Sequence, residues 1–145
     1  MAKTLYTAAA HVTGGREHGH GRTDDGALDV QLRVPQALGG TGDGTNPEQL
    51  FAVGFASCFE SALAVVARRA KLEGADAEVD SAVHLQPTEE RGFKLAVDLD
   101  VRLPSVTDPE QAAELVRAAH AICPYSNATR GNIEVALTAN GRPVG

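Results

Sequence analysis

The sequence predicts an α+β domain in which antiparallel strands pack around a long central helix and a second, shorter one. Three observations predict it. Several stretches alternate apolar and polar residues as half-buried strands do, a long and almost uncharged helical run follows Asn46-Pro47, and a second cap-and-proline start stands at Asp108-Pro109. In chain order the elements read β-β-α-β-β-α-β, and 145 residues with no internal repeat and no dividing linker predict one domain over residues 1–145.

Lys3 to Thr13 is predicted as the opening strand, although Ala8-Ala9-Ala10 interrupts its pattern. Leu28, Val30, Leu32 and Val34 then alternate with Asp29, Gln31 and Arg33, a second strand. The long helix starts where Asn46 can cap, Pro47 suits the first helical position and Gln49 completes a pair resembling a capping box. It should run to about Leu72, with Arg68, Arg69 and Lys71 near its negative end and Gly74 to stop it. From Leu50 to Ala67 its only charged residue is Glu60, so it reads as central, buried and in need of cover on every side. Val79, Ser81, Val83 and Leu85 form a weaker third strand. The clearest is the fourth, with Leu95, Val97, Leu99, Val101 and Leu103 on one face and Lys94, Ala96, Asp98, Asp100 and Arg102 on the other. The second helix starts at Asp108-Pro109-Glu110-Gln111 and ends near Cys123, because Pro124 disfavours helical geometry in the residue before it. Asn132 to Thr138 closes the set as a strand.

Apolar residues make up 43% of the chain and charged ones 22%, a globular composition in which we read no apolar run long enough to cross a bilayer. Met1 to Ala10 lacks the uninterrupted apolar stretch of a secretory signal, which points to the cytoplasm. A net charge of −6 with scattered Lys and Arg argues against nucleic acid as a partner. The two cysteines, Cys58 and Cys123, form no C-x-x-C motif. In a reducing compartment such a pair reads either as inert core thiols or as redox chemistry.

Cys58 falls on the helical stripe Phe51, Phe55, Cys58, Ala62, Val65, where a small core hydrophobe is an adequate explanation. Mid-helix placement denies it a helix N-terminus, and apolar burial would raise its pKa, so a reactive Cys58 requires a cation beside it. His18 and His20 alternate within the glycine-rich Glu17 to Arg22 stretch, which reads as a mobile loop. No further ligands stand at the usual spacing, so no metal and no cofactor is expected. Gly39 to Thr45 lacks the Gly-Lys-Ser/Thr ending of a phosphate cradle and reads as a shaped loop.

Four blocks carry a resemblance that spans nearly the whole chain: Thr13-Gly14-Gly15-Arg16, Gly44 through Ala52, Ala56-Ser57-Cys58-Phe59, and Cys123 through Asn132. Together they are similar to the organic hydroperoxide resistance branch of the OsmC/Ohr superfamily. The resemblance implies an OsmC-like fold, an intertwined homodimer, and a thiol peroxidase that prefers bulky organic hydroperoxides; the composition argues against a membrane partner. It also implies Cys58 as the attacking thiol, Cys123 as its disulfide partner, Arg16 as the cation at the thiolate and Glu48 as the carboxylate that holds Arg16. A lipoylated protein or dihydrolipoamide is the implied reductant. An apolar pocket lined by Phe51, Phe55, Phe59 and Leu38 would take fatty-acid or aryl hydroperoxides. Arg22 is a rival for Arg16, which is preferred because it completes the Thr-Gly-Gly-Arg block.

The residue types suit these roles. A guanidinium stays protonated and offers several donors at once, whereas Glu48 alone would oppose a thiolate and is useful only by holding Arg16 through a charge-assisted pair. Ten residues of helix separate Glu48 from Cys58, a rise of about 15 Å, so we expect each site to combine Cys58 and Cys123 of one chain with Arg16 and Glu48 of the other. Glu60, awkward beside the family pattern, is expected to point away from Cys58 and has no assigned role. Two other readings remain open. One is a redox-sensing or ligand-binding homodimer whose thiols oxidise without turnover. The other is the osmotically induced branch of the superfamily, with the same chemistry and another substrate range.

Overall fold

The computed structural model describes residues 2–72 and 76–145, which gather into two units, Met1–Leu50 and Phe51–Gly145. In the first, Gly14 and Gly15 take left-handed backbone (φ +79° and +65°). The chain thereby passes from strand β1 (Ala10–Thr13) through a one-turn helix α1 (Gly15–His18) into β2 (Gly19–Thr23) and on to β3 (Asp29–Leu32). The three strands pair antiparallel in the order β1-β2-β3. The stretch Glu17 to Arg22, expected as a mobile loop, is therefore a helical turn and the middle strand of a sheet. Gly19 suits that place, since an added Cβ would collide with the Gly15 carbonyl oxygen and stand 3.0 Å from Leu32 Cβ. Strand β1 is shorter than the expected Lys3 to Thr13, because β2 offers partners only from Ala10, opposite Thr23, onward.

After β3 the chain makes a short 3-10 turn at Gln36–Leu38 and loops back. The glycine-rich segment closes on itself: Gly39, Gly40 and Gly42 donate their N–H groups to the carbonyls of Gln36, Pro35 and Val34. These donors are spent within the chain, which agrees with a shaped loop rather than a phosphate cradle. Thr45 then bonds alongside Gln31 and Arg33 and delivers the chain to helix α2 (Pro47–Arg69). Asn46 caps it as predicted, accepting the Gln49 N–H on its side chain at 2.8 Å. The helix closes with Leu72 N–H on the Ala67 carbonyl and Lys71 in the left-handed region (φ +59°); Gly74, its expected stop, lies outside the described residues.

The second unit holds β4 (Glu78–Pro87), β5 (Phe93–Arg102), helix α3 (Pro109–Ile122), helix α4 (Pro124–Thr129), β6 (Val135–Ala139) and β7 (Arg142–Val144). Its sheet runs β4-β5-β6-β7. β4 and β5 form a long hairpin from the pair Glu78 and Arg102 to the pair Pro87 and Phe93, so β4 is as well formed as β5. The expectation of antiparallel strands needs one correction. β5 and β6 are parallel, because α3 and α4 carry the chain back across the sheet between them. The alternating face of β5 is buried as predicted (Val97, Leu99, Val101 and Leu103), and it packs with Phe55, Phe59 and Leu63 of α2 and with Ala112, Val116 and Ala119 of α3.

Helix α2 departs from expectation in two respects. Its 23 residues are long and apolar enough to cross a membrane by length and composition, contrary to our reading of the sequence. It is also not covered all round: Phe55, Phe59, Ala62, Leu63, Val66 and Ala67 are buried, whereas Val53 is 71% exposed. Strand β7 goes beyond the strands the alternation pattern predicts. Asn140-Gly141 forms the two-residue hairpin turn before it with both residues at positive φ (+49° and +84°), a signal present in the sequence.

Asn140 also ties that turn to the end of β5. Its Oδ1 accepts the Leu103 N–H at 2.7 Å, and its Nδ2 donates to the carbonyls of Leu103 and Val106. Asn140→Ala removes these bonds and places a Cβ-bearing residue without polar compensation at positive φ, so we expect a loss of about 2–3 kcal/mol in urea unfolding. Asn140→Gly, which keeps the backbone conformation, should lose less.

Candidate active site

In the first unit Arg16, on α1, meets Glu48, in the first turn of α2. Arg16 Nη2 donates to Glu48 Oε1 at 2.7 Å, and Nη1 reaches Oε2 at 3.4 Å. This is a two-point, charge-assisted pair. The hydrogen bond from Arg16 holds the Glu48 carboxyl below its ordinary value, against the opposing effect of burial. The rival cation Arg22 instead lies 3.6 Å from Asp29, and His20 Nε2 stands 2.5 Å from the same carboxylate. Of the two arginines, Arg16 is the one joined to Glu48. Leu38 sits in the 3-10 turn, more than half exposed, beside a small recess that His18 and Val34 also line.

In the second unit α2 presents Cys58, partly buried, and the corner between α3 and α4 presents Cys123, fully buried. The sequence placed Cys123 at a helix end followed by a turn. The structure instead makes it the C-cap of one helix and the N-cap of the next, with extended backbone (φ −63°, ψ 124°). The same Pro124 explains both facts: it bars helical geometry at Cys123, yet suits the first position of α4.

The Cys58 thiol lies within reach of two groups on that corner, the Cys123 thiol and the backbone N–H of Tyr125. Burial pushes the Cys58 thiol up, the Tyr125 N–H works against it, and Cys123 adds to the rise. The two thiols thus act on one another's ionisation, and forming a thiolate at Cys58 at neutral pH calls for a cation. Both cysteines are free in this structure.

The Tyr125 ring packs against Phe51 and Phe55 with centroid separations of 5.8 and 5.5 Å. Gly54 makes room for it on α2, since a Cβ there would stand 2.6 Å from Tyr125 Oη. Beside this group opens a mainly apolar cavity of about 800 Å3, lined in part by Phe51, Phe93, Leu95, Pro124, Tyr125 and Ile133. Among the aromatic residues named from the sequence, Phe51 lines it. Phe55 and Phe59 have no exposed surface and belong to the core behind it. Tyr125 was inside a recognised block but carried no assigned role, and Phe93 stands at the start of β5 with no local mark of function. Glu60 borders a shallow groove with Val79 and Ser81, and among the described residues it forms no ion pair. Among the described residues no cluster of three or more His, Cys, Asp or Glu side chains suits a metal ion.

Comparison with known proteins agrees with the resemblance read from the sequence. A family model described as OsmC-like protein matches residues 40–138. The organic hydroperoxide resistance protein of Xanthomonas axonopodis pv. citri is 49% identical over 138 residues, covering 94% of this chain and 95% of that one. The organic hydroperoxide resistance protein OhrB of Bacillus subtilis is 48% identical over 134 residues, 92% of this chain and 96% of that one. Its crystal structure superposes with a TM-score of 0.83, covering 92% of this chain and 98% of that chain. An organic hydroperoxide resistance protein from Legionella pneumophila superposes with a TM-score of 0.88 at 49% identity, covering 93% and 97%.

The Arg16–Glu48 pair has a pH signature. Because the folded-state pKa of Glu48 lies below the unfolded value of about 4.3, the pair's contribution to stability is present above that pH and is lost as pH falls through the folded value. A carboxyl-carbon NMR titration should place the Glu48 midpoint below that of an ordinary glutamate, and Arg16→Gln should move it upward. An unmoved midpoint in Arg16→Gln would show that the pair does not form in solution.

Proposed function

The chain belongs to the organic hydroperoxide resistance branch of the OsmC-like family, with a role in peroxide detoxification, and we propose that it fills this role as a cysteine-based peroxidase of bulky organic hydroperoxides. The observation that carries this reading is the placement of Cys58 beside Cys123. In the proposed cycle the Cys58 thiolate attacks the distal peroxide oxygen, the O–O bond breaks, and the alkoxide leaves as the alcohol after taking a proton. Cys58 becomes a sulfenic acid. Cys123 then attacks its sulfur, the S–S bond forms, and the sulfenic oxygen leaves as water. A dithiol of the lipoyl type, free or on a lipoylated protein, reduces the disulfide. No bound cofactor is needed.

Arg16 is the proposed cation at the thiolate, and Glu48 holds its guanidinium in place. The apolar cavity beside Tyr125 is the proposed seat of the substrate's hydrocarbon part, with Phe51 in its wall and Phe55 supporting Tyr125. In this reading residues 1–145 act as one domain in the cytoplasm, and a homodimer completes the site. The exposed apolar side chains Val53 (71%) and Phe93 (76%) are consistent with cover by a second copy.

Steady-state turnover of cumene hydroperoxide and hydrogen peroxide with dihydrolipoamide tests the enzyme. We expect the organic peroxide to be the better substrate, Cys58→Ser to abolish turnover, and Cys123→Ser to consume one peroxide per chain without forming an intramolecular disulfide. A wild type that oxidises once and stalls with each dithiol would replace the peroxidase by a redox sensor. A second experiment tests the shared site. Because Glu48 and Cys58 are separated by about 15 Å of helix rise, Arg16 and Glu48 are assigned to the partner subunit of each reacting Cys58. Mixed dimers of an Arg16→Ala chain with a Cys58→Ser chain should recover activity that neither parent shows. No recovery, with subunit exchange verified, rejects the shared site.

A further inference from the structure

The corner that presents Cys123 is held by side chains that the proposed cycle does not use. Helices α3 and α4 are joined by a single non-helical residue, Cys123, so its backbone dihedrals set the angle between them. Two connections span the corner. His120, in the last turn of α3, places Nδ1 at 2.9 Å from Oγ of Ser126, a fully buried hydroxyl on α4. Arg130, at the end of α4, donates from Nη2 to the backbone carbonyl of His120. Arg130 is itself held by Asn127, whose Oδ1 accepts from Nη1 at 2.6 Å.

A buried hydroxyl with a single good partner is costly to orphan, so this brace resists rotation about Cys123. Burial and the Arg130 charge push the His120 imidazole down. Both effects favour the neutral imidazole, which in either tautomer can complete the bond with the Ser126 hydroxyl. Both groups that reach Cys58 from α4's side, the Cys123 thiol and the Tyr125 N–H, lie on this corner.

We infer that His120, Ser126 and Arg130 are positioning residues for the resolving step, locking the α3–α4 corner so that Cys123 reaches the Cys58 sulfenic acid before a second peroxide does. This rests on the peroxidase reading. The sulfenic acid has two fates. Attack by Cys123 forms the S–S bond and releases water, whereas a second hydroperoxide transfers an oxygen to Cys58, leaves as its alcohol and yields the sulfinic acid. The division between these fates depends on where Cys123 is held, and it is independent of how fast the first peroxide reacts.

The test treats the reduced full-length protein with rising cumene hydroperoxide and no reductant, and counts disulfide against sulfinic acid by intact-protein mass spectrometry. Ser126→Ala and His120→Leu should form sulfinic acid at peroxide concentrations roughly ten- to hundredfold lower than wild type needs, the scale of loss for a misplaced reacting group. His120→Asn, whose amide can occupy the place of Nδ1, should retain most of the wild-type division. If either disrupting variant folds and divides as wild type does, with only its melting temperature lowered, the network is merely structural and the inference fails. If wild type itself forms no disulfide, the peroxidase reading fails with it. A wild type that resolves beside variants that resolve equally well overturns the positioning role alone.

Discussion

The apolar face of α2 has to be buried, and the second unit is organised around that requirement. Phe55, Phe59 and Leu63 lose essentially all their exposed surface against β5 and α3, a gain of about 2–3 kcal/mol for each large side chain before entropy is counted. Cys58 stands between Phe55 and Phe59 in sequence and only partly shares their burial. The packing that secures α2 therefore also fixes the height and direction of the thiol. Cys123 ends α3, whose Val116 and Ala119 belong to the same core. The two cysteines come near one another because two helices pack into one core, with no covalent tie between them.

That core sets the chemical problem the site has to solve. Burial raises the pKa of Cys58 and the Cys123 neighbour raises it further, while a single backbone N–H from Tyr125 opposes them. A buried thiol without a cation is a poor nucleophile near neutral pH. The cation proposed for that thiolate, Arg16, is already pinned by a carboxylate within the first unit, Glu48. Pairing lowers the entropy lost when such a group engages a substrate, at the expense of part of its charge. Phe51 and Tyr125 border the cavity, with Phe55 packed behind them, so its wall is largely aromatic and apolar.

Local chemistry was legible wherever one short segment decides the outcome. Asn46-Pro47 and Asp108-Pro109 start helices because the caps and the prolines act within a single turn. The strict alternation of Leu95 to Leu103 could satisfy only one buried face, and β5 shows it. Asn140-Gly141 carried an equally local signal for the last hairpin that the strand pattern around it obscured. The glycine-rich Glu17 to Arg22 stretch was illegible for the opposite reason. Glycine has no strong preference of its own, and only the neighbours β1 and β3 make a strand of it.

By itself, the sequence determined the capped helices, the amphipathic strands and, through its motif blocks, the family. Tertiary structure alone decided the parallel pairing of β5 with β6, the sharp corner at Cys123, the burial of Phe55 and Phe59 behind the cavity, and the choice of Arg16 over Arg22 as partner of Glu48. The physical reason is common to all of these. Caps and periodicity act between residues a few positions apart, whereas strand direction, cavity walls and ion-pair partners are settled by groups that meet only after the chain has folded.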